Sequence, residues 1–260
     1  MSSAETERLT VAGIELEALR RGQGPTLLLL HGFETIPPEA RFLDRLARRF
    51  SILAPSTPGF GNSARPEDVS EVYDLVHLYL ELLQGLPGET VVVIGFSFGG
   101  WLAAEMAAAC CDRIAKLVLI DALGIKISDR ETPDILDIFN THPRDVAPRR
   151  WHDPARSAPD FDAMSDEAII RYARGREALS LYGWHPYMHN PSLKRWLARI
   201  KVPTLVLWGA QDGVVSPSYG RAYSALIPGA CFAMIENAGH HPEIEQPDAF
   251  VDHVLAFLET

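Results

Sequence analysis

The chain has 260 residues, 47% of them apolar, three cysteines and a formal net charge of -10. That length suits one large α/β domain or a core with an insertion, with enough apolar side chains for a sizeable core. The acidic balance argues against nucleic acid and membrane as partners, and no apolar run is long enough to cross a bilayer. Arg41, Arg45, Arg48 and Arg49 lie close together, but on the predicted outer face of a helix. The polar start, Met1 to Arg8, has no apolar signal core, so no secretory leader is expected. Cys110 and Cys111 are adjacent in a predicted helix and Cys231 is far off. This odd set is no disulfide framework; the cysteines read as small buried residues in a reducing, cytoplasmic compartment.

In chain order, residues 9–11 and 14–18 flank Ala12-Gly13 and predict a hairpin. Residues 27–30 form a short apolar strand ending at His31-Gly32-Phe33. A helix over 39–49 follows, with Phe42, Leu43, Leu46 and Phe50 at helical spacing. Residues 51–54 are a strand that runs into a Pro/Gly-rich turn over 58–63. The spacing of Val72, Leu75, Val76, Tyr79 and Leu82 predicts a helix over 68–83. Further strands are expected at 91–96, 117–121, 204–208 and 231–235, and a closing helix at 247–258. Apolar strands alternating with amphipathic helices predict an α/β fold, a mostly parallel sheet with helices on both faces. Residues 124–200 break the pattern: they have no strand-like run and are rich in Pro, Asp, Arg, Trp and His. Ser165-Asp166-Glu167 starts a helix reaching about Leu181, and Asn190-Pro191-Ser192 starts another. This segment is expected to be a helical cap inserted into a core formed by 1–123 and 201–260.

The most informative stretch is Val91 to Gly100, an apolar strand running into Gly95-Phe96-Ser97-Phe98-Gly99, with a helix expected from Trp101. Such a corner strains the serine and exposes it, and the usual reason is nucleophilic attack. A serine nucleophile needs a base. His240 follows the last predicted strand directly, and would share with Ser97 the rim formed by the carboxyl ends of parallel strands; adjacent His241 is its rival. The imidazole then needs a carboxylate to hold its tautomer. Asp212, just beyond the strand ending at Trp208, is preferred over Asp121, which also ends a strand on that rim. The negative oxygen of a tetrahedral intermediate needs N–H donors, and the amides of Phe98 and Phe33 are placed to supply them. His31 reads as a structural rim residue.

Together His31-Gly32-Phe33, Pro58-Gly59-Phe60-Gly61-Asn62-Ser63, Gly95 to Gly100, Trp208-Gly209-Ala210-Gln211-Asp212 and Ala238-Gly239-His240, with Glu243 and Pro247 behind, resemble the α/β-hydrolase superfamily. The resemblance implies an eight-stranded sheet, a cap after the sixth strand, no cofactor, and a Ser97–Asp212–His240 triad. Haloalkane dehalogenases and epoxide hydrolases are similar but place aspartate where Ser97 stands. C–C hydrolases of meta-cleavage products carry Asn before the serine and an aromatic residue after the histidine; here Phe96 and His241 occupy those positions. The Gly-Phe-Ser form also resembles cofactor-free perhydrolases. The expected activity is hydrolysis of carboxylic esters with small to medium acyl groups, the substrate being an uncharged small molecule. C–C hydrolysis or cofactor-free lyase or perhydrolase chemistry is the alternative, and a ligand-binding sensor with a slow triad is another. No metal is expected. Phe33, Phe96, Phe98 and Trp101 are candidate pocket residues, with His185 or His189 as polar contacts from the aromatic stretch 183–191; Arg171, Arg174 and Arg176 could face a carboxylate only if helical spacing turned them inward.

Overall fold

The structure, a computed structural model, describes residues 5–110 and 112–260; Cys111 and the first four residues lie outside them. The elements are β1 (Glu5–Val11), β2 (Ile14–Arg21), β3 (Thr26–Leu30), α1 (Arg41–Leu46), β4 (Ser51–Pro55), α2 (Val72–Gly85), β5 (Val91–Phe96), α3 (Phe98–Ala109) and β6 (Ile114–Ile120). Then come α4 (Pro143–Arg150), α5 (Pro154–Ser157), α6 (Asp166–Gly183), α7 (Leu193–Trp196) with a 3-10 turn over Leu197–Arg199, β7 (Thr204–Gly209), α8 (Pro217–Ala225), β8 (Cys231–Ile235), α9 (Pro242–Glu245) and α10 (Pro247–Glu259). Eight strands form one sheet in the order β1-β2-β4-β3-β5-β6-β7-β8. β1, β2 and β4 pair antiparallel, and every other pair is parallel. The expected α/β sheet with helices on both faces is therefore what the chain forms.

The antiparallel edge begins as the hairpin at Ala12-Gly13, both residues at positive φ (48° and 82°), the backbone a two-residue hairpin turn of matching twist requires. In the centre, alternate residues of one strand serve opposite cores. Leu28 and Leu30 of β3 join the layer containing α2, α3 and α8, while Leu27 and Leu29 join the layer of α1 and α10. α3 is buried nearly all round, because the sheet, α2 and the 3-10 turn after α7 enclose it; a helix without a polar face is stable only in such a sandwich.

Several boundaries differ from those expected. α1 spans only 41–46, its last expected turn being hydrogen-bonded turn residues at 47–50. α2 starts at Val72 rather than 68, where the Glu71 and Asp74 side chains form a reciprocal cap. Arg45 and Arg49 meet Asp252 and Glu259 of α10, so two of the four arginines of that cluster are paired within the fold. The cysteines depart from the buried reading: Cys231 is exposed and Cys110 only half-buried, since an edge strand leaves the start of β8 facing solvent.

Between β6 and β7 the described residues carry only helices, turns and two isolated bridges, Gly124 with His189 and Ile135 with Val215. Ser165 caps α6 by accepting the Ala168 N–H at 3.3 Å. The helix expected after Asn190-Pro191-Ser192 is the short α7.

Candidate active site

The site begins with a local conflict between strand and helix. β5 ends at Phe96 and α3 begins at Phe98, three residues earlier than the sequence suggested, so one residue makes the whole corner. Ser97 pays in strain, with φ 49° and ψ -112°, a region that non-glycine residues rarely occupy. Its backbone is pinned on both sides: its N–H donates to Ile120 at 2.8 Å, and its carbonyl accepts from Trp101 and Leu123, each at 3.1 Å. The flanking glycines are required by contact. A Cβ on Gly95 would strike the Gly99 carbonyl and the Gly100 Cα, and one on Gly99 would strike the Leu30 and His31 carbonyls.

The loops after β3, β7 and β8 meet this corner. His240 Nε2 is 2.7 Å from Ser97 Oγ, and His240 Nδ1–H donates to Asp212 Oδ2 at 2.8 Å. Asp212 Oδ1 accepts the N–H groups of Val214 (2.8 Å) and Val215 (3.1 Å), which fixes the carboxylate plane toward the ring. All three residues are buried. Burial pushes the His240 imidazole down to about 4, with Arg150 adding to that effect and the nearby carboxylates opposing it; the ring is neutral in the resting site and Nε2 is free to accept the serine proton.

The competitors sit elsewhere. His241 accepts from Arg150 Nε at 2.8 Å, donates from Nδ1 to Glu243 at 3.2 Å and stacks on Trp151, so both its ring nitrogens are committed to partners other than Ser97. Asp121, at φ 43°, accepts the Gly209 N–H at 2.9 Å through Oδ1, while its buried Oδ2 has no hydrogen-bond partner among the described residues. It lies in one cluster with Asp212 and His240, ligand atoms within 4.8 Å. Burial, reinforced by the Asp212 charge, pushes the Asp121 carboxyl well above the usual range. Burial also raises Asp212, to about 8, but its N–H donors oppose this; with two N–H groups on Asp212 and one on Asp121, the geometry favours the charge on Asp212 and the proton on Asp121.

Gly32 brings the β3 loop against the serine: a Cβ there would lie 3.0 Å from Ser97 Cβ. Among the described residues, neither the Phe33 nor the Phe98 amide donates to a backbone acceptor, so both N–H groups are uncommitted. His31 donates from Nδ1 to Gly32 O at 2.8 Å and accepts the Thr57 N–H through Nε2 at 2.9 Å. Burial lowers its pKa to about 4, so this ring is a neutral strut of the loop.

Of the aromatic candidates, Phe33, Phe96 and Phe98 line the cavities at Ser97 and Trp101 does not. Trp101 instead donates to Glu105 at 3.0 Å. His185 and His189 are likewise absent from the lining; His189 Nδ1 donates to the Tyr187 carbonyl. Of the three arginines, Arg174 donates to the Ser63 carbonyl away from the cavities, Arg171 pairs with Glu17 and lines the larger cavity at Ser97, and Arg176 lies over the Phe33 and Phe139 rings and lines the smaller one.

Sequence reading missed Arg150 and Glu34. Arg150 is buried, pairs with Glu34 and lies over the Phe33 and Trp151 rings. Its only sequence signal is position: Glu34 follows Phe33, and the Arg149-Arg150-Trp151 run breaks off a helix containing Pro143 and Pro148.

The chain belongs to the alpha/beta hydrolase family, whose model matches residues 27–253. It is 25% identical over 275 residues to an uncharacterized protein of Mycobacterium tuberculosis, covering 96% of this chain and 80% of that one. It is 27% identical over 271 residues to lipase 1 of Psychrobacter immobilis, covering 98% and 84%. Among solved structures it resembles the 2-hydroxy-6-oxo-6-phenylhexa-2,4-dienoate hydrolase of Rhodococcus sp. strain RHA1, with a TM-score of 0.79, 21% identity and full coverage of both chains.

Proposed function

We propose that this hydrolase cleaves carboxylic esters of small to medium acyl groups, with Ser97 as nucleophile, His240 as base and Asp212 as the orienting acid. The observation that carries the reading is the unbroken line from Ser97 Oγ through His240 to Asp212, with contacts of 2.7 and 2.8 Å. Ser97 Oγ bonds the ester carbon as its proton passes to His240 Nε2. The oxygen that becomes negative lies against the Phe33 and Phe98 amides. The carbon–oxygen bond to the alcohol then breaks, and the alcohol leaves with the proton from His240. Water, deprotonated by the same ring, releases the acid and restores the serine.

In this reading residues 124–200 are the cap and the remainder is the core. The cap contributes Ile135, Leu136, Ile138, Val146 and Tyr187 to the space above Ser97, a largely apolar lining that suits an uncharged ester. No helix among the described residues is long and apolar enough to cross a membrane; the exposed free thiol of Cys231 supports a reducing, cytoplasmic setting. The test is turnover of p-nitrophenyl acetate and butyrate against a vinylogous diketone, in the native protein and in Ser97→Ala. Ester turnover lost in the variant is expected. Cleavage of the diketone alone would place the chain with C–C hydrolases, and saturable binding without turnover would make it a sensor.

A further inference from the structure

Two cavities of very different size meet at the serine. Phe33, Ser97, Tyr172 and His240 line both. The first, about 50 Å³, is walled by Leu136, Ile138, Leu179 and Met188. The second, about 680 Å³, runs past Ile36, Phe42, Trp151, Met164 and Ile244. A carbonyl carbon held at Ser97 has two substituents pointing apart, so each must enter a different cavity.

We propose that the small cavity holds the acyl chain and the large one a bulky, apolar, uncharged alcohol, so that the substrates are short-chain esters of large alcohols. This rests on the ester-hydrolase reading above. A water-sized group takes roughly 10–15 Å³ of such a cavity, so the small one has room for about four heavy atoms. That accommodates the carbons of an acetyl to butyryl chain beyond the carbonyl and not those of an octanoyl chain. The direction follows from the order of steps. The acyl group must stay on Ser97 while the alcohol departs and water takes its place beside His240; only the larger cavity has room for both movements. Its walls carry the acids Glu34, Glu39 and Glu243 and the cation Arg171, with Glu34 paired to Arg150 and Arg171 to Glu17; no one sign of charge dominates and the remaining surface is mainly apolar, which suits an uncharged alcohol.

Two ester series test the assignment on the native chain. In p-nitrophenyl esters, kcat/KM should fall by at least about tenfold from butyrate to octanoate, the penalty for several methylenes without a pocket. In acetates, it should rise by at least about tenfold from ethyl to 2-naphthylmethyl, as the large cavity takes up the ring. Leu136→Ala together with Ile138→Ala, both half-buried in the native chain, should raise the ratio of octanoate to butyrate kcat/KM by at least about tenfold. Octanoate preferred over butyrate, or methyl octanoate over 2-naphthylmethyl acetate, would overturn the assignment and leave the hydrolase reading standing. No turnover in either series, with Ser97 unlabelled by a small fluorophosphonate, would overturn the hydrolase reading itself.

Discussion

The main-chain carbonyl of Arg150 accepts the amide N–H of His240 at 2.8 Å. The neighbouring Arg149 carbonyl accepts from Gly213, the residue after Asp212, at 2.9 Å, and the Arg150 guanidinium binds Glu34 beside Phe33 and His241 beside His240. The end of α4 thus touches all three loops that converge on Ser97. Gly239 and Gly213 permit the approach, since a Cβ at either would lie 2.5 Å from the Arg150 carbonyl or 2.9 Å from the Arg149 carbonyl.

Arg150→Met should therefore weaken both the fold and turnover. Removing one partner of a buried pair strands the other, at about 3 kcal/mol for a pair as partly exposed as Arg150 and Glu34. Urea unfolding measures that loss. On the ester reading kcat should drop more than KM rises, because the loops lose their common brace, and Arg150→Lys should recover part of it. A variant with native stability and native kcat would contradict this account of the brace.

Asp121→Asn should leave activity largely intact and raise stability toward alkaline pH. The folded chain holds the Asp121 carboxyl well above its usual range, so it binds that proton more tightly than the unfolded chain does. That contribution is fully present below the unfolded value of about 3.9 and is lost as pH rises toward the folded value. Asparagine has no such proton. The difference in melting temperature between variant and native chain should be near zero at pH 4 and grow in the variant's favour as pH rises. A constant difference would contradict the protonated carboxyl.

The acid limb of kcat/KM should lie near pH 4 rather than near the usual histidine value of about 6.5. Burial is the main cause, and the Arg150 charge adds to it. Esterase activity measured from pH 4 to 8 with a non-ionising ester checks this, and Arg150→Met should move the limb upward. A limb at or above 6.5 in the native chain would show that His240 is not held in the buried state described.

Gly99→Ala should strongly destabilise the fold, because the new methyl would meet the Leu30 and His31 carbonyls. Backbone atoms there belong to a central strand and its loop and cannot turn aside. Thermal unfolding should show a loss of several kcal/mol, whereas Gly229→Ala, which meets nothing within 4 Å but sits at φ 72°, should cost about 1 kcal/mol.

What could be read in the sequence was mostly local. A strand followed by Gly-Phe-Ser-Phe-Gly and a helix describes its own geometry, and the strand ends before Phe33, Asp212 and His240 share one rim by parallel topology alone. The sequence favours Asp212 over Asp121 but leaves Asp121 in play, since both end neighbouring strands on that rim; the 2.8 Å contact from His240 Nδ1 goes to Asp212. Arg150, Glu34 and the brace at α4 were hidden for a different reason. α4 has a charge-rich, proline-interrupted sequence with no apolar stripe, and its partners lie some hundred residues away in sequence, so no periodicity announces it. The two cavities were equally invisible, being the gap left when that segment packs over the sheet.

Ester hydrolysis by this triad requires that an acyl group form on Ser97. The native chain and Asp212→Asn are mixed with p-nitrophenyl butyrate, quenched in acid within the first turnovers, and digested for mass spectrometry. A butyryl group on the peptide carrying Ser97, formed rapidly in the native chain, slowed by several orders of magnitude in Asp212→Asn and absent from Ser97→Ala, is the predicted result. Ester turnover with that peptide never acylated, or acylation undiminished in Asp212→Asn, would contradict it.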